Sequence, residues 1–242
     1  MRISRLCLPQ PLQAGHTIAV NTDSAHYLRT VLRLKRGDAL VVFNGEGGEY
    51  PAVLQVVNKD EVTVALGEHD PREAESTIHT HLGLGISRGE RMDMAIQKAV
   101  ELGVSAITPL FTERCVVQLD ETRTAQRWHH WQRVARSACE QCGRNRVPDV
   151  RRPMKLADWL QEQDGLRLFL HPHGGKSLRE LRAPDGTVCL LSGPEGGFSE
   201  RERLDAMEAG FIPLRLGPRI LRTETAALAA LAAIQSVWGD LG

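Results

Sequence analysis

The chain has 242 residues, 42% hydrophobic, 25% charged and 5% aromatic, an ordinary globular composition that allows one or two domains with a sizeable core. Thirty Lys plus Arg against thirty Asp plus Glu exclude a binder drawn to polyanions by bulk charge, but not a local basic face. Only Lys35, Lys59, Lys98, Lys155 and Lys176 are lysines, so arginine supplies 25 of the 30 cations, and its planar fork suits phosphates and base edges.

In chain order, residues 1–70 read as short strands separated by turns: Arg2 to Leu8, Thr17 to Val20, Leu40 to Phe43, Tyr50 to Val57 and Glu61 to Leu66. Gly37-Asp38, Asn44-Gly45 and Gly47-Gly48 punctuate them, and one short helix is expected over Ser24 to Leu32. Such close strand spacing predicts a small barrel or half-barrel. The polar stretch 71–76 reads as a linker. From Thr77 strands and helices alternate: a strand around Ile78 to Ile86, a helix over Glu90 to Leu102 stopped by Gly103, and a strand over Val104 to Leu110. A long helix follows over Glu121 to Cys142, with Trp128, Trp131, Ala135, Ala138 and Cys142 on one face. Further helices are expected at Lys155 to Gln163, Ser199 to Ala209 and Thr225 to Trp238, and strands at Leu166 to Leu170, Val188 to Ser192 and Phe211 to Leu216. Ser199 and Glu202 have capping-box spacing, with Gly210 as the stop. This alternation over 77–242 predicts an α/β domain with a mostly parallel sheet, whose ligands bind beyond the carboxyl ends of the strands.

Several familiar signals fail on inspection. His171-Pro-His-Gly-Gly-Lys-Ser177 lacks the first glycine of a phosphate-binding loop. Cys139-Gln-Gln-Cys142 has no second pair to complete a zinc site, and His129-His130 are sequential on a helix and cannot converge, so no metal is expected. Five cysteines in a long chain argue against a disulfide scaffold and for a reducing, cytoplasmic compartment. No apolar leader opens the sequence and no run of about 18 apolar residues occurs, so no membrane association is expected. Two loops carry more. Ser192-Gly-Pro-Glu-Gly-Gly197 and Leu216-Gly-Pro-Arg-Ile-Leu-Arg-Thr-Glu-Thr-Ala226 each follow a predicted strand and precede a predicted helix, one rich in glycine and the other in charge.

Together with Gln97-Lys-Ala-Val-Glu-Leu-Gly-Val104 and Glu140-Gln-Cys-Gly-Arg144, these loops closely resemble the 16S ribosomal RNA uracil-N3 methyltransferases of the SPOUT superfamily, the RsmE family. The resemblance spans nearly the whole chain. It implies an N-terminal PUA-like RNA-binding β-barrel domain (1–70) and a SPOUT α/β methyltransferase domain (77–242) whose C-terminal segment forms a trefoil knot. It also implies S-adenosylmethionine as cofactor, held by Leu170, His171, Leu191, Ser192, Gly193, Pro194, Glu195, Gly196, Leu216, Gly217, Ile220, Leu221 and Thr225. The implied substrate is uracil 1498 of 16S ribosomal RNA in the small ribosomal subunit, and the implied assembly a homodimer. The alanine-rich last helix serves either that dimer contact or the core of one subunit.

Uracil N3 carries a proton, so methylation requires in-line positioning against the methyl carbon and a cation or donor for the uracil oxygens. Arg222 is the expected stabiliser, with Arg219 beside it; the alternatives for both are RNA phosphate contact or pairing with Glu224. Glu224 is expected to orient or cap rather than act as base, because neighbouring arginines would lower its pKa. Glu195 either touches the cofactor or satisfies amides at a helix start. Arg5, Arg29, Arg33, Lys35, Arg36, Arg144 and Arg146 are the expected RNA contacts, and Arg151 and Arg152 extend the second cluster. The competing classes are a non-catalytic RNA-binding or ribosome-assembly factor with a vestigial pocket and a dinucleotide enzyme; the latter lacks the G-x-G-x-x-G turn.

Overall fold

A computed structural model describes residues 3–115, 120–172 and 174–242. Arg2, the expected start of the first strand, and His173 of the His-Gly-rich segment lie outside the described residues. The chain divides into two compact units, Met1–Glu75 with Cys139–Val147, and Ser76–Ala138 with Pro148–Gly242.

The first unit holds β1 (Ser4–Cys7), β2 (Thr17–Ala19), β3 (Ala39–Phe43), β4 (Tyr50–Val57) and β5 (Val62–Leu66) in one sheet of order β1-β3-β4-β5-β2. β1 runs parallel to β3 and the other pairs are antiparallel. Period-two alternation selects the core face: Ala52 and Leu54 of β4 are buried while Val53 between them is exposed. With Leu6, Val42 and Val64 they enclose Leu28. The expected helix over 24–32 is instead α1 (Thr22–His26), capped by the Asn21 side chain accepting from Ser24 N–H at 2.9 Å, followed by a wider π turn over Tyr27–Val31 that turns Leu28 inward.

The stretch with linker composition is tied down. Arg5 Nη1 and Arg72 Nη2 both donate to Glu49 Oε2, at 2.5 and 2.9 Å, and Arg144 pairs with Glu75. The Asn145 side chain donates to Arg72 O at 2.6 Å and accepts from Arg5 at 2.5 Å, which joins 139–147 to this unit. Burial acts to raise the Glu49 pKa, but the hydrogen bonds and charges of Arg72 and Arg5 outweigh it and hold the carboxyl at about 2, against an ordinary 4.5. A depressed carboxylate stabilises the fold fully above its unfolded pKa and loses that contribution as pH falls toward the folded value. Replacing Glu49 by Gln is therefore expected to cost about 3 kcal/mol at neutral pH. Urea titrations should show the gap from wild type narrowing between pH 5 and 2, and a gap independent of pH would refute the pairing.

In the second unit β6 (His79–Gly85), β7 (Ala106–Phe111), β10 (Leu166–Leu170), β11 (Thr187–Ser192) and β12 (Ile212–Leu214) form a parallel sheet of order β12-β10-β11-β6-β7-β8, where β8 (Asp149–Val150) is only a two-residue strand. β9 (Met154–Lys155) also pairs with β7. Both two-residue strands were absent from the expected pattern, being too short to show a period. This unit's helices are α2 (Glu90–Glu101), α4 (Leu156–Gln161), α5 (Glu200–Glu208), α6 (Thr223–Trp238) and most of α3 (Glu121–Cys142), whose residues from Cys139 onward belong to the first unit. The capping box forms as spaced: Ser199 Oγ accepts from Glu202 N–H at 3.1 Å and Glu202 Oε2 from Ser199 N–H at 2.8 Å. Ala227, Ala230, Leu231 and Ile234 of α6 are buried, and α6 packs on α2, so this face belongs to the core of one chain. Among the described residues no helix is long and apolar enough to cross a membrane.

Candidate active site

The loops after β7, β10, β11 and β12 emerge at the carboxyl ends of parallel strands and surround a cavity of about 340 Å³. Leu170, His171, Ser192, Gly193, Pro194, Glu195, Gly196, Ile220 and Leu221 line it, and an adjoining recess of about 60 Å³ adds Leu216, Gly217 and Arg219. Most of the expected cofactor set is thus gathered around one space. Leu191 is instead a buried core residue of β11, and Thr225 is exposed on the first turn of α6, where Thr223 and Ala226 face the cavity in its place. The helix starts two residues earlier than expected, at Thr223, and with 3.6 residues per turn that shift puts Thr223 and Ala226 rather than Thr225 on the lining face.

Close backbone packing shapes the cavity wall. A Cβ on Gly85, the last residue of β6, would lie 2.4 Å from Pro194 N, and one on Gly196 would lie 2.9 Å from Arg114 Cβ. Pro194 O accepts from Gly197 N–H at 2.8 Å and closes the turn. Glu195 Oε1 accepts from Arg88 N–H at 3.1 Å and from Arg91 Nη1 at 3.2 Å. Its partial burial favours the neutral acid, but these bonds outweigh that and hold its pKa below the ordinary carboxylate value. Its Oε2 is buried with no hydrogen-bond partner among the described residues. Apolar Leu170, Pro172, Leu221 and Ala226 share the lining with polar Ser192, Glu195 and Thr223, a mixture that suits an amphipathic ligand.

Arg222 occupies the N-cap position of α6 in extended backbone, and its carbonyl accepts from Ala226 N–H at 2.7 Å. Arg219 and Arg222 are both exposed and form no ion pair among the described residues, so the alternative of a bridge to Glu224 is not realised. Glu224 is buried in the first turn of α6. Arg114, Pro172, Gly197, Phe198, Arg203, Thr223 and Ala226 also line the cavity and were missed. The carboxyl-end rule, applied to the strand before Arg114, would have found that residue.

The expected RNA cations separate by burial. Arg5 and Arg144 have side chains only 9% and 5% exposed and paired with Glu49 and Glu75, which corrects their assignment: they brace the first unit. Arg29 is half-buried and donates to Asn58 O at 2.6 Å. Arg33, Lys35, Arg36 and Arg146 are exposed. His81, packed in the sheet with Nε2 2.8 Å from Thr108 Oγ1, is lowered to about 4 by burial and by the Arg151 charge, which keeps it neutral. Burial pushes the Cys139 thiol up to about 12, an unreactive state. Among the described residues no group of three or more His, Cys, Asp or Glu stands placed to hold a metal.

A parallel sheet with a loop-walled cavity beyond its strands, preceded in sequence by a small sheet unit, defines a two-unit RNA methyltransferase: residues 74–235 match the model of an RNA methyltransferase domain, and residues 20–66 that of an RNA methyltransferase PUA domain. Over 242 residues the chain is 37% identical to the ribosomal RNA small subunit methyltransferase E of Buchnera aphidicola from Schizaphis graminum, covering 99% of this chain and 98% of the relative. The Bacillus subtilis enzyme of the same name is 32% identical over 93% and 92% of the two chains. The chain belongs to the ribosomal RNA small subunit methyltransferase E family. Its structure is similar to that of the Neisseria gonorrhoeae enzyme bound to S-adenosylmethionine, with TM-score 0.94, 39% identity and full coverage of both chains. A Legionella pneumophila methyltransferase solved with the same cofactor gives TM-score 0.97 and 41% identity, again over all of both chains.

Proposed function

We propose that this protein transfers the methyl group of S-adenosylmethionine to N3 of a uridine, position 1498, in the 16S RNA of the small ribosomal subunit. The observation that carries the reading is the convergence of the 170–171, 192–196 and 216–221 segments on one cavity at the carboxyl ends of the sheet. When bound, the sulfonium cofactor supplies an already activated methyl group. The chain supplies the rest. Glu195 would offer an acceptor to donors of the ligand, and Ser192 to Gly196 and Leu170 with Leu221 would enclose it. Arg222 neutralises the negative charge that grows on the uracil oxygens as the N3 proton passes to solvent water, and Arg219 adds a second cation at the recess. Glu224, buried in the first turn of α6 with no ion pair to either arginine among the described residues, is assigned the lesser role of an acidic group at the helix start rather than that of base.

The same proposal includes a trefoil knot, as the family resemblance implies, with the 216–222 loop between β12 and α6 as part of the threaded segment. It also includes a cytoplasmic homodimer, with the exposed side of α6 around Val237 available for contact, and RNA contact by Arg33, Lys35, Arg36 and Arg146. Purified protein incubated with labelled S-adenosylmethionine and small subunits from a strain lacking the activity should yield 3-methyluridine on nucleoside analysis. Absence of that nucleoside overturns the reading.

A further inference from the structure

The cavity has a cationic rim residue that belongs to neither of the two conspicuous loops. Arg114 follows β7, lines the cavity and is exposed. Its backbone is fixed from two sides. Glu113 N–H donates to Glu202 Oε1 at 2.8 Å while Glu202 Oε2 caps α5 through Ser199 N–H, so one buried carboxylate holds both the helix start and the loop carrying Arg114. On the other side Gly196 leaves no room for a side chain against Arg114 Cβ and its carbonyl oxygen, at 2.9 and 3.0 Å from a built Cβ. The guanidinium donates to Gly196 O at 3.3 Å through Nη1 and meets no carboxylate within ion-pair distance among the described residues. Arg91 nearby is neutralised by Glu195, and Arg203 donates to Phe198 O. A rigid backbone carrying an unneutralised fork is how an arginine is prepared for an oxyanion.

We propose that Arg114 binds a backbone phosphate of the substrate RNA beside the target nucleotide, with Glu202 as its positioning residue; this rests on the methyl-transfer reading above. The RNA is favoured over the carboxylate of the cofactor because Arg114 is exposed to solvent, where a polyanion too large to enter the cavity can reach it. A phosphate contact fixes register without reading sequence, so its loss falls on KM rather than on kcat.

The test uses the whole protein and small subunits lacking the modification. Arg114→Ala should raise KM for subunits about tenfold and lower the slope of log affinity against log salt by about one. Its affinity for S-adenosylmethionine by calorimetry should stay within about twofold of wild type, and Arg114→Lys should restore the slope but only part of KM. Glu202→Gln should raise KM severalfold, and adding Arg114→Ala should add little, a coupling that general destabilisation does not produce. Unchanged KM and slope, or a cofactor affinity that falls as far as KM rises, overturns the assignment of Arg114; additive effects remove Glu202 from it. Subunit binding needs no turnover, so a wild-type protein that fails to methylate defeats the proposed function while the salt slope still decides Arg114.

Discussion

Arg222→Ala is expected to lower kcat by about 10²- to 10³-fold, the usual loss when a preorganised donor to a developing oxyanion is removed. Calorimetric affinity for S-adenosylmethionine should change little, because Arg222 is exposed at the start of α6 and the cavity is lined there by Ile220, Leu221, Thr223 and Ala226. Stability should also hold, since Arg222 has no ion-pair partner among the described residues to lose. Arg222→Lys tests the chemistry: a point charge keeps the electrostatic attraction but not the planar pair of donors, so partial recovery is expected. Normal turnover in Arg222→Ala would remove this residue from the reaction and transfer its role to Arg219.

Gly85→Ala is expected to damage the cavity from beneath. Its added methyl would lie 2.4 Å from Pro194 N, 2.7 Å from Pro194 Cδ and 2.8 Å from Gly193 C, all within the loop after β11. Pro194 is buried, so the backbone must move rather than a flexible side chain. Gly85 lies outside the left-handed region, and the substitution therefore tests packing without backbone strain. Overpacking of this kind costs about 1–3 kcal/mol. If that cost falls on the bound loop geometry, affinity for S-adenosylmethionine drops about 5- to 150-fold. Circular dichroism should show an unchanged fold, and an unaltered affinity in calorimetry would show that the loop can shift without consequence.

The local elements were legible because their signals are local. β4 over Tyr50–Val57 and α3 over Glu121–Cys142 coincide with the expected segments, the first through alternation and the second through a three- and four-residue apolar repeat. The Ser199–Glu202 cap was visible as a spacing of three. What it does beyond α5 was not, because Glu113 lies 89 residues away and no periodicity relates the two. Arg5 and Arg144 show the opposite failure. Both looked like surface cations available to RNA, yet each is held against a carboxylate whose partnership depends on the course of the chain.

The sequence by itself determined the strand and helix alternation, the two loops that carry glycine and arginine, and the family, because these are properties of neighbouring residues. Tertiary structure decided which of its 25 arginines are braces and which stand free at a cavity rim. It also decided that residues 139–147 belong with the first unit and that Arg114 joins the site. The physical reason is that burial and pairing of a charge depend on what the fold brings within a few ångströms, and a guanidinium is the same residue in either setting.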